Sequence, residues 1–153
     1  MRPVLEEGYV WCPMDNGLLS ILRSATTKEE GVRQMNNIQA SQNFKLSEFQ
    51  CKCGCQQVKL HSELLRRLQA IRTETGRAVV INSGYRCPAH NRAVGGASGS
   101  QHLHGRAADI TIQGLNIQAQ RAICEKYFAD GGVGYGKTFT HVDVRGSKAR
   151  WNY

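Results

Sequence analysis

Five histidines stand at positions 61, 90, 102, 104 and 141 of this 153-residue chain, and three of them fall in its two most unusual segments. One segment runs Ser100-Gln101-His102-Leu103-His104-Gly105-Arg106-Ala107-Ala108-Asp109, and the other runs Phe139-Thr140-His141-Val142-Asp143-Val144-Arg145. The second alternates strictly and predicts a strand. Alternate residues of a strand share a face, so His141, Asp143 and Arg145 point one way while Val142 and Val144 point into the core. An imidazole, a carboxylate and a guanidinium on one face are costly to bury without partners or a metal. Asp109 follows Ala107-Ala108 and precedes Ile110, so it too sits in a segment that otherwise reads as core. Two imidazoles and one carboxylate suit zinc, with a fourth position left for water. A strand histidine is also an ordinary hydrogen-bonded core residue, and spacing alone does not separate the two readings.

The elements that would carry these residues are legible in outline. Leu64, Leu68 and Ile71, with Leu65 beside them, recur at helical spacing between His61 and Glu74, and Gly76 closes that helix. Ala78–Asn82 is short, apolar and β-branched, and predicts a buried strand. Ser83–Ser100 is rich in Gly, Ser, Asn and Pro and predicts a long ordered loop, of a kind more often functional than idle. Ala107–Ile112 predicts a second strand. Leu115–Phe128 predicts a helix packed through Ile117, Ala119, Ile123 and Tyr127. Gly131–Gly136 is too glycine-rich for a long strand, although Val133 and Tyr135 could pair briefly. The expected fold is α+β, a small antiparallel sheet flanked by helices. Residues 1–40 are expected to form an N-terminal helical extension of unknown role, with helices near Gly17–Arg23 and Lys28–Ile38. The main domain is expected to span 41–153.

Ser100, His102, Gly105, Ala107 and Asp109 fit the pattern Ser-x-His-x-x-Gly-x-Ala-x-Asp. His141 and Asp143 fit a later His-x-Asp strand, and Ser83-Gly84-Tyr85-Arg86 fits Ser-x-Tyr-Arg. On these residues the chain, from about Phe44 to Trp151, resembles the zinc D-alanyl-D-alanine carboxypeptidase and murein-peptidase family, whose fold is shared with the Hedgehog signalling domain. The resemblance implies Zn2+ held by His102, Asp109 and His141. It implies that Arg86 orients the substrate and complements the negative charge developing on the scissile carbonyl oxygen. Arg86, Ser100, His104 and Trp151 are the expected substrate-binding residues, and the expected substrate is a peptidoglycan stem peptide. Several relatives carry Glu or Asp three residues before the last histidine, where this chain has Thr138. Asp143 is therefore the candidate general base, or alternatively the partner that fixes a ligand imidazole. His61 and His90 are expected to be ordinary surface residues.

Lys and Arg total 20 against 12 Asp and Glu, a formal charge of +8. That excess favours a polyanionic partner, either nucleic acid or an anionic wall or membrane surface. The bases are scattered and no nucleic-acid motif accompanies them, so nucleic acid is not an expected partner. No apolar run approaches the roughly 20 residues of a membrane span. No secretory leader is visible at the N-terminus. Action at the cell wall would then follow release by lysis or another route, or a leader is missing from the sequence, and a monomer is expected. A small basic peptidase of this kind suits an endolysin-like enzyme and equally a wall-remodelling one. A zinc-bearing wall-binding module without turnover is the alternative. Six cysteines stand at 12, 51, 53, 55, 87 and 124. Cys51-Lys52-Cys53-Gly54-Cys55 could be half of a zinc site, though no second pair with zinc-finger spacing follows, or it could form a disulfide to Cys87. Cys124 is expected to be a buried apolar residue.

Overall fold

Leu64, Leu68 and Ile71 bury one face of helix α1 (Ser62–Thr75). His61 caps that helix by accepting the Glu63 N–H, and Gly76 ends it in the left-handed conformation at φ 62°. The computed structural model describes residues 36–153 and the backbone of residues 9–12. The helix expected over Gly17–Arg23 lies outside the described residues, as does all of the one over Lys28–Ile38 except its last three positions, of which only Asn36 is helical. Residues 9–12 form strand β1 (Tyr9–Cys12), which pairs antiparallel with β4 (Val58–His61). Part of the N-terminal extension thus adds a strand across the expected 40/41 boundary. Between them β2 (Gln39–Ser41) and β3 (Phe44–Lys45) form a short hairpin.

The remaining strands make one sheet. Along the chain they are β5 (Val79–Ser83), β6 (Ala107–Ile112), β7 (Gly132–Tyr135), β8 (Thr140–Asp143) and β9 (Ala149–Asn152). Their spatial order is β5-β6-β8-β7-β9, antiparallel throughout except for the parallel pair of β7 with β9. The α+β class matches expectation, and β9 is an addition that the sequence pattern did not suggest. Helix α3 (Ile117–Tyr127) opens on Asn116, whose side chain accepts the Ala119 N–H. Its fully buried positions are Gln120 and Cys124; of the four apolar residues expected to pack, Ile123 and Tyr127 do so half-buried against the core, while Ile117 and Ala119 are half-buried outside it. The expected loop from Ser83 to Ser100 contains helix α2 (Pro88–Ala93), started by Pro88 and capped by the Cys87 sulfur. Proline is preorganised for a first helical turn, which is how a loop-like composition hides this element. Among the described residues no helix is long and apolar enough to cross a membrane.

The sheet has two unlike faces. Ala108, Ile110 and Ile112 of β6, Val142 of β8 and Val133 of β7 pack with Leu64, Leu68, Ile71, Cys124 and Phe128 into the main core. Alternation sends Asp109, His141 and Asp143 to the other face. There β7 presents Gly132 and Gly134. A Cβ on Gly132 would overlap the Asp143 carboxylate, and one on Gly134 would come within 2.7 Å of the Trp151 ring. The glycines that disguised this strand leave room for the two side chains that lie over it.

Candidate metal centre

Asp109 and His141 face each other directly in the register of β6 and β8. Directly opposed strand residues bring their Cβ atoms to about 4.5–5.5 Å, close enough to share one ion. His102 arrives from outside the sheet, on a 3-10 turn (Gln101–His104) that Gly105 ends at φ 65°. Gly105 packs against the Lys59 backbone with no room for a Cβ, and its carbonyl accepts the His61 N–H at 2.9 Å. The turn is thereby tied to β4.

Three ligand-capable atoms converge. His102 Nε2 lies 3.2 Å from His141 Nδ1 and 3.4 Å from Asp109 Oδ1, and His141 Nδ1 lies 2.9 Å from Asp109 Oδ1. A tetrahedral site with metal–ligand bonds of about 2.0–2.1 Å has edges of about 3.3 Å. The triangle therefore fits zinc coordination with little adjustment. The far ring nitrogens set the tautomers. His102 Nδ1 stands 2.7 Å from the Gly84 carbonyl, which only accepts, so Nδ1 carries the proton and Nε2 presents its lone pair. His141 Nε2 stands 3.0 Å from Asp143 Oδ2, which makes Nε2 the donor and turns the Nδ1 lone pair toward Asp109. Two lone pairs and a carboxylate oxygen that close together repel unless a proton or a cation lies between them.

Titration behaviour in the metal-free protein reflects the same crowding. Burial lowers the pKa of His102, outweighing the neighbouring carboxylate. Burial acts the same way on His141, but hydrogen bonds to Asp109 and Asp143 outweigh it and raise its pKa. Burial would raise Asp109, yet His102 and His141 hold it below the ordinary carboxylate range. Asp143, also buried, is held low by His141 and Arg145.

The remaining sequence-expected residues divide. Arg86 joins the group, its Nη2 2.6 Å from Asp109 Oδ2 and its Nε 2.9 Å from the Ser83 hydroxyl. Asp143 is fully buried and sits at the far edge of the His141 ring from Nδ1. Its oxygens also accept from Arg145 Nε and Nη2, the Arg145 N–H and the Gly132 N–H. Arg145, just past the end of β8, keeps to the face expected for it and folds back onto this carboxylate, with its guanidinium 4.9 Å from the Trp151 ring centroid. Trp151 lies 5.0 Å from the His141 ring, and Tyr153 lies 6.4 Å away. Ser100 is half-buried at the start of the 3-10 turn, and His104 is exposed outside the ligand group. Thr138 is exposed, with its carbonyl accepting from the Thr111 hydroxyl. Asp130 pairs with Arg67. His61, expected at the surface, is a half-buried helix cap, and His90 is half-buried in α2. The Gly84 carbonyl and the two strand glycines were not among the residues singled out as site residues. Only Gly84, inside the Ser-x-Tyr-Arg run, carried a sequence signal.

Residues 42–143 match the sequence profile of a family described as peptidase M15. A relative from Streptomyces albus G, named zinc D-Ala-D-Ala carboxypeptidase, is 36% identical over 88 residues. The alignment covers 56% of this chain and 34% of that protein, so the chain matches about a third of its relative's length.

Proposed function

The chain belongs to the peptidase M15 family, and from that premise we propose that it is a zinc peptidase cutting D-amino-acid-containing bonds of bacterial peptidoglycan. His102, Asp109 and His141 are its metal ligands in this reading. The observation that carries it is the triangle of Nε2, Nδ1 and Oδ1 atoms at tetrahedral spacing, with both imidazole tautomers preset. A bound zinc ion would supply a Lewis acid that polarises the scissile carbonyl and acidifies the attacking water.

The protein's own groups then divide the work. Arg86 holds Asp109 through Oδ2, leaving Oδ1 to the metal, and brings positive charge to the edge of the site where a substrate oxygen would gain charge. Asp143 holds the His141 ring by its Nε2–H, and we assign it to positioning rather than to proton transfer because the ring stands between it and the ligand triangle. Trp151 packs beside the His141 ring, and Trp151, Ser100 and His104 are the proposed substrate contacts. The cell wall is the proposed place of action and stem peptides the proposed substrate, a reading supported by the D-Ala-D-Ala in the relative's name.

A specific observation keeps the non-catalytic alternative in play. Both site carboxylates are committed, Asp109 to the ligand triangle and Arg86, Asp143 to His141 and Arg145. Incubation with purified peptidoglycan, with and without chelator, separates the readings. New amines or released D-alanine that vanish on chelation and on His141→Ala support the peptidase. Zinc that is lost on His141→Ala, bound without product, would favour the binding module instead. Mass spectrometry of the muropeptides then distinguishes terminal from internal cleavage.

A further inference from the structure

We propose that Cys51, Cys53, Cys55 and Cys87 form a second metal site, a closed tetrathiolate zinc centre that clamps the arginine-bearing segment onto the rest of the fold. The four sulfur atoms all lie within 4.8 Å of one another. Cys51 and Cys53 are 3.4 Å apart, and Cys53 and Cys87 are 3.7 Å apart. Zinc–sulfur bonds of about 2.3 Å in a tetrahedron give sulfur–sulfur edges of about 3.8 Å. The four thiols thus stand near the vertices that one ion requires.

The local sequence makes this arrangement in an unusual way. In an extended strand, residues 51, 53 and 55 would share a face but lie roughly 6.6 Å apart per pair, too far for a common ion. The segment instead turns on itself, with Gly54 at φ 88° and Gln56 at φ 57°. The Cys51 N–H is fixed to the Gln57 carbonyl at 2.8 Å, closing the loop at its base. Cys87 comes from the start of α2 and supplies the fourth sulfur, replacing the second zinc-finger pair that the sequence lacks. Two backbone donors point at sulfur: the Cys87 N–H at Cys51 and the His90 N–H at Cys87, each at 3.4 Å. Backbone N–H groups aimed at sulfur are the hydrogen bonds that a metal-bound thiolate would accept. Neutral thiols are weak donors and weak acceptors and would gain little from gathering this closely.

Four protein sulfurs leave no open position, so the centre is structural. Its soft ligand set differs from the nitrogen and oxygen triangle around Asp109. Tyr85 packs against Cys51 and Cys87, and its N–H bonds the Phe49 carbonyl at 2.8 Å. The neighbouring Gly84 carbonyl sets the His102 tautomer, and the Arg86 N–H bonds the His102 carbonyl at 3.1 Å. An ion at Cys87 therefore anchors the segment that positions both Arg86 and His102.

Elemental analysis of the full chain, purified reduced and with zinc supplied, tests this. Two zinc ions per chain are expected. His102→Ala/His141→Ala should retain one, released by a mercurial only as the four site thiols react, in addition to any taken up by Cys12 and Cys124. Cys53→Ser/Cys55→Ser should lose that one. Should the cysteine variant fail to fold, the histidine variant with cobalt substituted still decides, because a tetrathiolate gives intense sulfur-to-cobalt charge-transfer absorption. No metal in the histidine variant, iron in place of zinc, or the mass deficit of disulfides among these cysteines in the native protein would overturn the proposal. The peptidase reading fails separately, through loss of turnover with both ions present.

Discussion

Replacing Asp143 by Asn keeps the side-chain shape and removes its charge, which separates the two roles a carboxylate can have here. Asp143 Oδ2 lies 3.0 Å from His141 Nε2, while Nδ1 of the same ring faces Asp109 Oδ1 at 2.9 Å. A proton acceptor for the reacting water would need to reach the Nδ1 side of the ring. A partner that acts through a ligand imidazole typically contributes about 10–100-fold to metal affinity, which corresponds to about 1.4–2.8 kcal/mol. Removing a general base would instead lower kcat by about 10²–10⁴-fold. Arg145 adds little to the first figure, because its half-exposed side chain can turn to water when the carboxylate charge is gone. The assay is zinc affinity by competition with a chromophoric chelator, paired with kcat at saturating zinc. Asp143→Asn should weaken zinc binding 10–100-fold and leave kcat of the zinc-loaded enzyme within about tenfold. Unchanged zinc affinity with kcat down by about 10²–10⁴ would refute the positioning role and make Asp143 the base.

Gly132→Ala should reproduce the metal-affinity loss of Asp143→Asn, because the added methyl overlaps the carboxylate that holds His141, and the same chelator competition checks it. Gln120→Leu removes the acceptor for the Ile112 N–H and the donor to the Ile110 carbonyl and the Thr140 hydroxyl. The buried groups left unpaired should lower stability by about 1–3 kcal/mol, seen as a Tm lower by roughly 3–10 °C. His104→Ala should keep full zinc content while His102→Ala loses the ion from the nitrogen and oxygen site, since only His102 faces Asp109; elemental analysis reads both. The Asp143 carboxyl is held below its ordinary range by His141 and Arg145. Its ionised form therefore adds stability that is full above the unfolded value of about 3.9 and fades as pH falls further. Urea unfolding of the metal-free protein should show a shallower loss of stability below about pH 4 in Asp143→Asn than in the parent.

Which parts of this were readable beforehand follows from what periodicity encodes. Ala107–Ile112 and the centre of Phe139–Arg145 read as strands, so both elements and the shared face of His141 and Asp143 were open to inspection, whereas the grouping of His102, Asp109 and His141 came from the family resemblance. Alternation gives a face, but not which edge of a ring looks at which neighbour. The choice between base and positioning partner for Asp143 therefore needed coordinates. Strand β7 was understated because glycine lowers strand propensity, whereas here the glycines answer a packing demand from Asp143 and Trp151. Strand β9 was missed because Ala149–Asn152 has no apolar alternation; its residues are held by β7 pairing and by Arg150 reaching Glu125 and the Gly131 carbonyl. Cys87, 32 residues beyond Cys55, reads in the sequence as a disulfide partner of this segment and not as a fourth ligand, because sequence spacing carries no information on how the four sulfurs are arranged.

The precision of the ligand triangle is set from the opposite side of the sheet. A one-residue slip between β6 and β8 would turn Asp109 or His141 into the core and bring Ala108 or Val142 to the site. The apolar contacts of Ile110 and Val142 with α1 and α3 oppose that slip, but apolar packing tolerates small displacements. Gln120 does not. From α3 it bonds the Ile112 N–H, the Ile110 carbonyl and the Thr140 hydroxyl, and so pins both strands one pair away from Asp109 and His141. Directional hydrogen bonds from a buried amide thus fix the register that hydrophobic burial only favours. A helix that never approaches the metal position is in this way part of what defines it.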